Sequence, residues 1–215
     1  MVDPRFGRVF SSNEEMLDPA HTALVVVDLQ NDFAHPEGSF AKDGKDVSAI
    51  TAMTPNLVQL VEDARSAGAM VVWIMQTTLP HGLSDSAAWR EFKSRDGKNP
   101  EYTLDGSWGQ QFMEPLAVKP GEPIVKKYRS SAFVGTDLNL ILRAAGIETL
   151  VICGCVTEGC VESTVRSSTF HDFYTFVVED CVASATKANH DASMTVMKSR
   201  YKVYPRAWYA ETWKV

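Results

Sequence analysis

Short continuous apolar runs recur along this chain, and most are followed by a segment with helical spacing. Ala23-Leu24-Val25-Val26-Val27 is the purest of them. A run with no polar residue every second position suits a strand covered on both faces rather than one face of an open sheet. Residues 70–75, 123–127, 149–153, 175–178 and 201–204 read as further strands of the same kind, the last one half polar. Between them lie candidate helices. Leu57, Leu60, Val61 and Ala64 fall at i, i+3, i+4 and i+7, which predicts a helix over 54–67, with Thr54 as N-cap, Pro55 in the first turn and Gly68 at the end. Thr136 caps a second helix carrying Leu138, Ile141, Leu142 and Ala145. Residues 160–171 form a third, with Val161, Thr164, Val165 and Ser168 inward. Ala188, Ala192 and Val196 mark the inner face of a last one.

Strand and helix alternating in this way predict an α/β fold: a three-layer α/β/α sandwich around a six-stranded parallel sheet. With 215 residues and no composition break, one domain over 1–215 is expected. Residues 1–20 lack periodicity and read as an irregular arm. Residues 77–121 are the longest polar stretch and read as an excursion with short helices. A net charge of −6 argues against a nucleic-acid partner. No apolar run reaches the roughly 18 residues of a membrane span. Nothing before Asn13 resembles a secretory signal, so a cytoplasmic protein is expected. Cys153, Cys155, Cys160 and Cys181 are then free thiols, and a non-catalytic redox or interaction role for the first three is one possible use of them.

Parallel sheets of this kind present ligands at the carboxyl ends of their strands. Asp28 follows the first strand, Lys127 follows the third, and Cys160 opens the helix after the fourth. A thiol at a helix N-terminus beside an ammonium is biased toward thiolate, and a carboxylate can take and return its proton. The three therefore form a self-consistent acyl-transfer set. Each alone has a structural reading: a turn aspartate, a solvated lysine, a buried cysteine. Zinc is disfavoured, because C-x2-C pairs and nearby histidines are lacking around Cys153, Cys155 and Cys160. Residues 154–159 are glycine-bracketed, but no Lys-Ser or Lys-Thr follows, so nucleotide binding is not expected. Trp89, Tyr102 and Trp108 of the excursion either roof a pocket or anchor a loop.

Four ordered motifs carry a family resemblance: Ala-Leu-Val-Val-Val-Asp-Leu-Gln-Asn-Asp-Phe (23–33), Gly-Ser-Trp-Gly (106–109), Lys-Lys-Tyr-Arg-Ser-Ser-Ala-Phe (126–133) and Gly-Cys-Val-Thr-Glu-Gly-Cys-Val-Glu-Ser-Thr (154–164). From Asp18 onward the chain resembles the isochorismatase-like cysteine hydrolases. Glu179-Asp180-Cys181 and His190 also sit where that family has similar residues. The resemblance implies a catalytic triad of Asp28, Lys127 and Cys160, with Lys127 and not Lys126 because it stands four residues before Ser131. It implies a cis peptide between Cys155 and Val156, and an oxyanion hole made by the N–H groups of Val156 and Cys160. The expected substrate pocket comprises Phe33, Gln76, Trp108, Arg129 and Thr157. Residues 40–47 lack the histidine of the nicotinamidase metal site, so no metal and no cofactor are implied. The excursion and Cys160-Val161-Glu162-Ser163-Thr164 look most like the ureidoacrylate, N-carbamoylsarcosine and biuret amidohydrolases. The implied activity is release of ammonia from a small linear amide, an N-carbamoyl or ureido compound, through a thioester. A maleamate-type amidase and a vinyl-ether hydrolase are the alternatives. Family members are dimers or tetramers, so a homo-oligomer is expected.

Overall fold

The computed structural model describes residues 2–3, 7–97 and 99–214. Six parallel strands form one sheet: β1 (Thr22–Val27), β2 (Met70–Gln76), β3 (Ile124–Lys127), β4 (Thr149–Cys155), β5 (Tyr174–Ala183) and β6 (Lys202–Tyr204). Their spatial order is β3-β2-β1-β4-β5-β6. The connection direction therefore reverses between β1 and β4, and a crevice opens there beyond the strand ends.

Alternate residues of each strand feed two separate cores. Leu24 and Val26 of β1, Trp73 of β2 and Val151 and Cys153 of β4 pack on one face. That face is covered by α1 (Ser48–Ala67) and α6 (Arg206–Thr212), the latter through Tyr209. Ala23, Val25 and Val27, with Ile74, Leu150 and Ile152, pack on the other. Their cover is α3 (Leu138–Ala144), α4 (Glu162–Phe170) and α5 (Lys187–Arg200). The helix α2 (Ala87–Ser94) belongs to the excursion, which also holds short 3₁₀ turns and two isolated bridges, Thr78 to Leu104 and Gln30 to Phe112.

Several elements depart from the sequence reading. The arm is not wholly irregular: Val2–Asp3 pairs with Gly7–Arg8, and Asn13–Met16 and Pro19–His21 form single helical turns, while residues 1 and 4–6 lie outside the described part. α1 starts at Ser48, not Thr54, and runs through Pro55. Ile50 and Met53 are buried in the core, so packing of that extra turn offsets the hydrogen bond that proline cannot donate. On α5 the face is reversed. Ala188, Ala192 and Val196 are exposed, and Ser193, Met194 and Met197 are buried. β5 runs on to Ala183 because a register shift opposite Ile152–Gly154 lets it rejoin β4 at Val182 and Ala183. α6 carries no signal that was read from the sequence.

Candidate active site

β1 and β4 meet at the switch point with Val27 opposite Gly154. A Cβ on Gly154 would lie 2.0 Å from the Val27 carbonyl oxygen, so only glycine permits this approach. Asp28 leaves β1 with φ 51°, and its N–H still donates to the Ile74 carbonyl (3.1 Å). The chain therefore turns sharply while held to β2. β3 alternates between exposure and burial, which sends Lys127 inward and Lys126 out to Asp105.

Lys127 is fully buried and its ammonium has four neighbours: Asp28 Oδ2 at 2.7 Å, Gln76 Oε1 at 2.7 Å, the Arg129 carbonyl at 3.1 Å and Cys160 Sγ at 3.1 Å. Asp28 Oδ1 accepts from the Gln76 N–H (3.0 Å), which also reaches Gln30 Oε1 (2.9 Å). The Cys155 thiol donates to the Asp28 carbonyl (3.2 Å). Burial raises the pKa of Asp28, and the nearby Lys127 charge offsets only part of this. Burial opposes charge on Lys127 too, but Asp28 and Cys160 outweigh it and hold the ammonium above its ordinary value. The Cys160 thiol is pushed up to about 12, first by burial and then by Asp28, against the pull of Lys127. Burial and Asp28 thus oppose the thiolate that a helix terminus and Lys127 were expected to favour. Cys160 also does not open an α-helix: it lies within the π-helical turn Thr157–Val161, and α4 begins after it.

Above these groups lies a cavity of about 160 Å³. Its walls are the rings of Phe33, Phe40, Trp89, Phe92 and Tyr102, and Gln76, Ser130, Cys155, Val156, Gly159 and Cys160 complete the lining. The peptide bond between Cys155 and Val156 is cis.

The model of the isochorismatase domain matches residues 22–205. The chain belongs to the isochorismatase family. Solved structures agree. An isochorismatase-like hydrolase from Alkaliphilus metalliredigens is 26% identical, with a TM-score of 0.77 over 90% of this chain and 99% of that one. N-carbamoylsarcosine amidase from Thermoplasma acidophilum is 25% identical, with a TM-score of 0.69 over 86% and 96%. Pyrazinamidase of Pyrococcus horikoshii, solved in complex with zinc, is 26% identical, with a TM-score of 0.72 over 86% and 99%. In the present isochorismatase-family protein, no three His, Cys, Asp or Glu side chains among the described residues are grouped to hold a metal ion. The described residues therefore offer no site that fits a zinc of that kind. Among the described residues no helix is long and apolar enough to cross a membrane.

Of the pocket residues expected from the resemblance to this family, Phe33 and Gln76 line the cavity and three do not. Trp108 is 45% exposed and packs edge-on against His35, and Asn31 Nδ2 donates to its backbone carbonyl. Arg129 donates to the carbonyls of Ser84 and Tyr128 and sits over the Trp89 ring, off the cavity. Thr157 is buried, with Oγ1 2.8 Å from His190 Nδ1. That contact gives the family position at His190 a structural partner. Glu158 Oε1 accepts from Ser184 Oγ, which ties the turn to the end of β5. The walls missed were Phe40, Phe92, Ser130 and Gly159, with Trp89 and Tyr102 left open between pocket and anchor. Trp89 and Phe92 stack at i, i+3 on α2, a signal present in the sequence. Phe40 comes from the single turn Ser39–Lys42 and had none. The Gly-Ser-Trp-Gly motif serves the loop backbone: a Cβ on Gly109 would strike the Asp32 carboxylate at 2.3 Å, the group that accepts from Thr103 and Ser39.

Proposed function

We propose that this hydrolase-family protein is a cysteine-dependent amidohydrolase that cleaves the C–N bond of a small linear amide, an N-carbamoyl or ureido compound, and releases ammonia. The observation that carries this reading is the Lys127 ammonium, placed 2.7 Å from Asp28 and 3.1 Å from Cys160 beneath a cavity that Cys160 lines. As Cys160 Sγ attacks the substrate carbonyl, its proton passes to Asp28, whose raised pKa makes it a stronger base than an ordinary carboxylate. The N–H groups of Val156 and Cys160 hold the oxyanion. Collapse breaks the C–N bond, and Asp28 returns the proton to the departing ammonia. Water, deprotonated by Asp28, then cleaves the acyl–sulfur bond, and the proton goes back to Cys160. Lys127 stays protonated throughout, orients Asp28 and balances the charge that moves between carboxylate and sulfur. N-carbamoylsarcosine amidase among the similar structures supports the ureido class.

Ammonia release from a panel of ureas and primary amides tests the reading. Cys160→Ala should remove turnover by a factor on the order of 10⁴ or more and keep the fold. Wild type held with a slow substrate should gain one acyl mass on Cys160. Activity should survive exhaustive chelation. Substantial turnover by the alanine variant, or loss on chelation restored by zinc, would overturn it.

A further inference from the structure

We infer that the cavity selects an uncharged substrate, a monosubstituted urea whose substituent is a flat aryl or compact alkyl group, and rejects N-carbamoyl amino acids. This rests on the amidohydrolase reading and narrows its substrate class. The space, about 160 Å³, is small and walled by rings, which favours a compact substituent beyond the urea. Five aromatic rings form its walls, and Phe33 meets both Phe40 and Tyr102 edge to face, at 4.8 and 5.5 Å between centroids. A flat apolar group gains packing against such rings.

Among the described residues, none lining the cavity is a lysine, arginine, aspartate or glutamate. A substrate carboxylate would leave water here without a counter-ion, which is the costly way to bury a charge. The two buried lysines nearby are already paired, Lys127 with Asp28 at 2.7 Å and Lys93 with Asp85 at 2.8 Å.

Substrate cations fare no better. An aromatic box can hold a cation by its ring faces. Here Lys45 lies over Phe40, Lys93 over Tyr102, Arg129 over Trp89 and Arg95 over Phe92, at 3.2, 4.8, 4.9 and 5.7 Å from the ring centroids. None of these four lines the cavity, but each stands within about 6 Å of a wall ring, and a substrate cation beside that ring would meet its repulsion. Burial also keeps the Tyr102 phenol above its ordinary pKa, so that wall stays neutral.

Turnover is balanced without a co-reactant other than water. The thiol adds to R–NH–CO–NH₂, ammonia leaves, and R–NH–CO–S–Cys160 forms. Water releases R–NH–COOH, which loses carbon dioxide to give R–NH₂. The test compares shape-matched ureas: propylurea and phenylurea, N-carbamoylglycine as the anion, and (2-aminoethyl)urea as the cation. Ammonia release is measured with the wild type, and binding by calorimetry with Cys160→Ala. The neutral pair should exceed both charged compounds at least 100-fold in kcat/KM and in affinity. N-carbamoylglycine binding as well as propylurea, or no urea binding at all, overturns the inference. Neutral ureas that bind selectively without turnover support the cavity's selectivity and overturn the proposed urea hydrolysis instead.

Discussion

Among the described residues, two lysine–aspartate pairs of almost the same length are buried. Lys127 meets Asp28 at 2.7 Å with both side chains fully covered, and Lys93 meets Asp85 at 2.8 Å with side chains 0% and 3% exposed. Lys93 projects from α2 to Asp85 and to Thr78 Oγ1 (3.1 Å), and it lies over the Tyr102 ring. It thereby fixes the helix that carries Trp89 and Phe92 to the chain leaving β2. Lys127 joins the ends of β1 and β3, and its fourth neighbour is a thiol. The contrast shows that burial and pairing do not mark chemistry. What distinguishes the first pair is one more acceptor than the ammonium has protons, a proton-bearing sulfur among them, and a cavity above. The second pair has no thiol beside it, and neither member lines that cavity.

Substitution of the two aspartates should separate them most widely. General acid–base groups contribute on the order of 10²–10⁴ in rate. Asp28→Asn should lose kcat on that scale while the protein stays folded. Asp85→Asn should keep kcat within about tenfold and raise KM, since it loosens a wall and leaves the base intact. Equal kcat losses in the two folded variants would break the distinction. Stability should follow the other order of importance. Removing one partner of a buried pair costs about 3–5 kcal/mol, whereas replacing both by apolar groups of similar size is often neutral. Urea denaturation of Asp85→Asn should show that loss, and Lys93→Met combined with Asp85→Leu should recover most of it. If the double variant is no more stable than the single, the pair is not the clip described.

A smaller effect separates the two environments by titration. Burial and Asp28 push the Cys160 thiol up to about 12 from an ordinary 9.0, which disfavours thiolate at neutral pH. Cys153, Cys155 and Cys181 are buried, and burial raises them as well. Limiting iodoacetamide at pH 7 should therefore label Cys160 first, by access, yet more slowly than a free thiol. Asp28→Asn removes a carboxylate that disfavours thiolate and leaves Lys127 in place, so labelling should accelerate about tenfold as turnover disappears. No acceleration would mean Asp28 does not face the sulfur electrostatically. The sign for stability follows. A thiol whose folded pKa is raised contributes fully below its unfolded value and loses that contribution as pH climbs from about 9 toward about 12. Cys160→Ser should flatten that alkaline decline in a denaturation series.

β1 and β4 were the most legible strands because one physical cause, burial on both faces, writes itself as an unbroken apolar run. β1 is buried at all six positions and β4 at all seven. Asp28 and Lys127 are then conspicuous as charges at the ends of apolar strands. The α5 face was misread because its buried side packs partly through polar contacts: Ser193 Oγ donates to Glu162 Oε2 at 2.5 Å, and His190 reaches Thr157. Apolar spacing cannot report such an interface. The pocket walls were illegible for a related reason. Phe40 and Tyr102 come from a single turn and a loop, where no period links residue to direction. Cys160 was placed correctly in the sequence order but wrongly in its helix, since a π-helical turn has the composition of an α-helical one.

The least perturbing change tests the limit of the cavity itself. Trp108 belongs to the Gly-Ser-Trp-Gly motif and was expected in the pocket, yet its ring is half-exposed and touches His35. Asn31 Nδ2 donates to the Trp108 carbonyl at 2.9 Å, and Ser107 Oγ caps the turn by accepting from the Gln110 N–H. Both contacts survive truncation of the side chain. Surface substitutions of this kind stay within about 0.5 kcal/mol, so Trp108→Ala should change kcat/KM by less than about threefold. Trp89 is the matched control on the other side of the boundary. It lines the cavity, stacks on Phe92 at 5.0 Å and seats Arg129 on its ring. Aromatic contacts of that sort contribute about 0.5–1.5 kcal/mol beyond area, so Trp89→Ala should raise KM by about tenfold. A Trp108→Ala variant that loses as much as Trp89→Ala would mean that the tryptophan turns inward when substrate binds, and that the working pocket has a sixth ring.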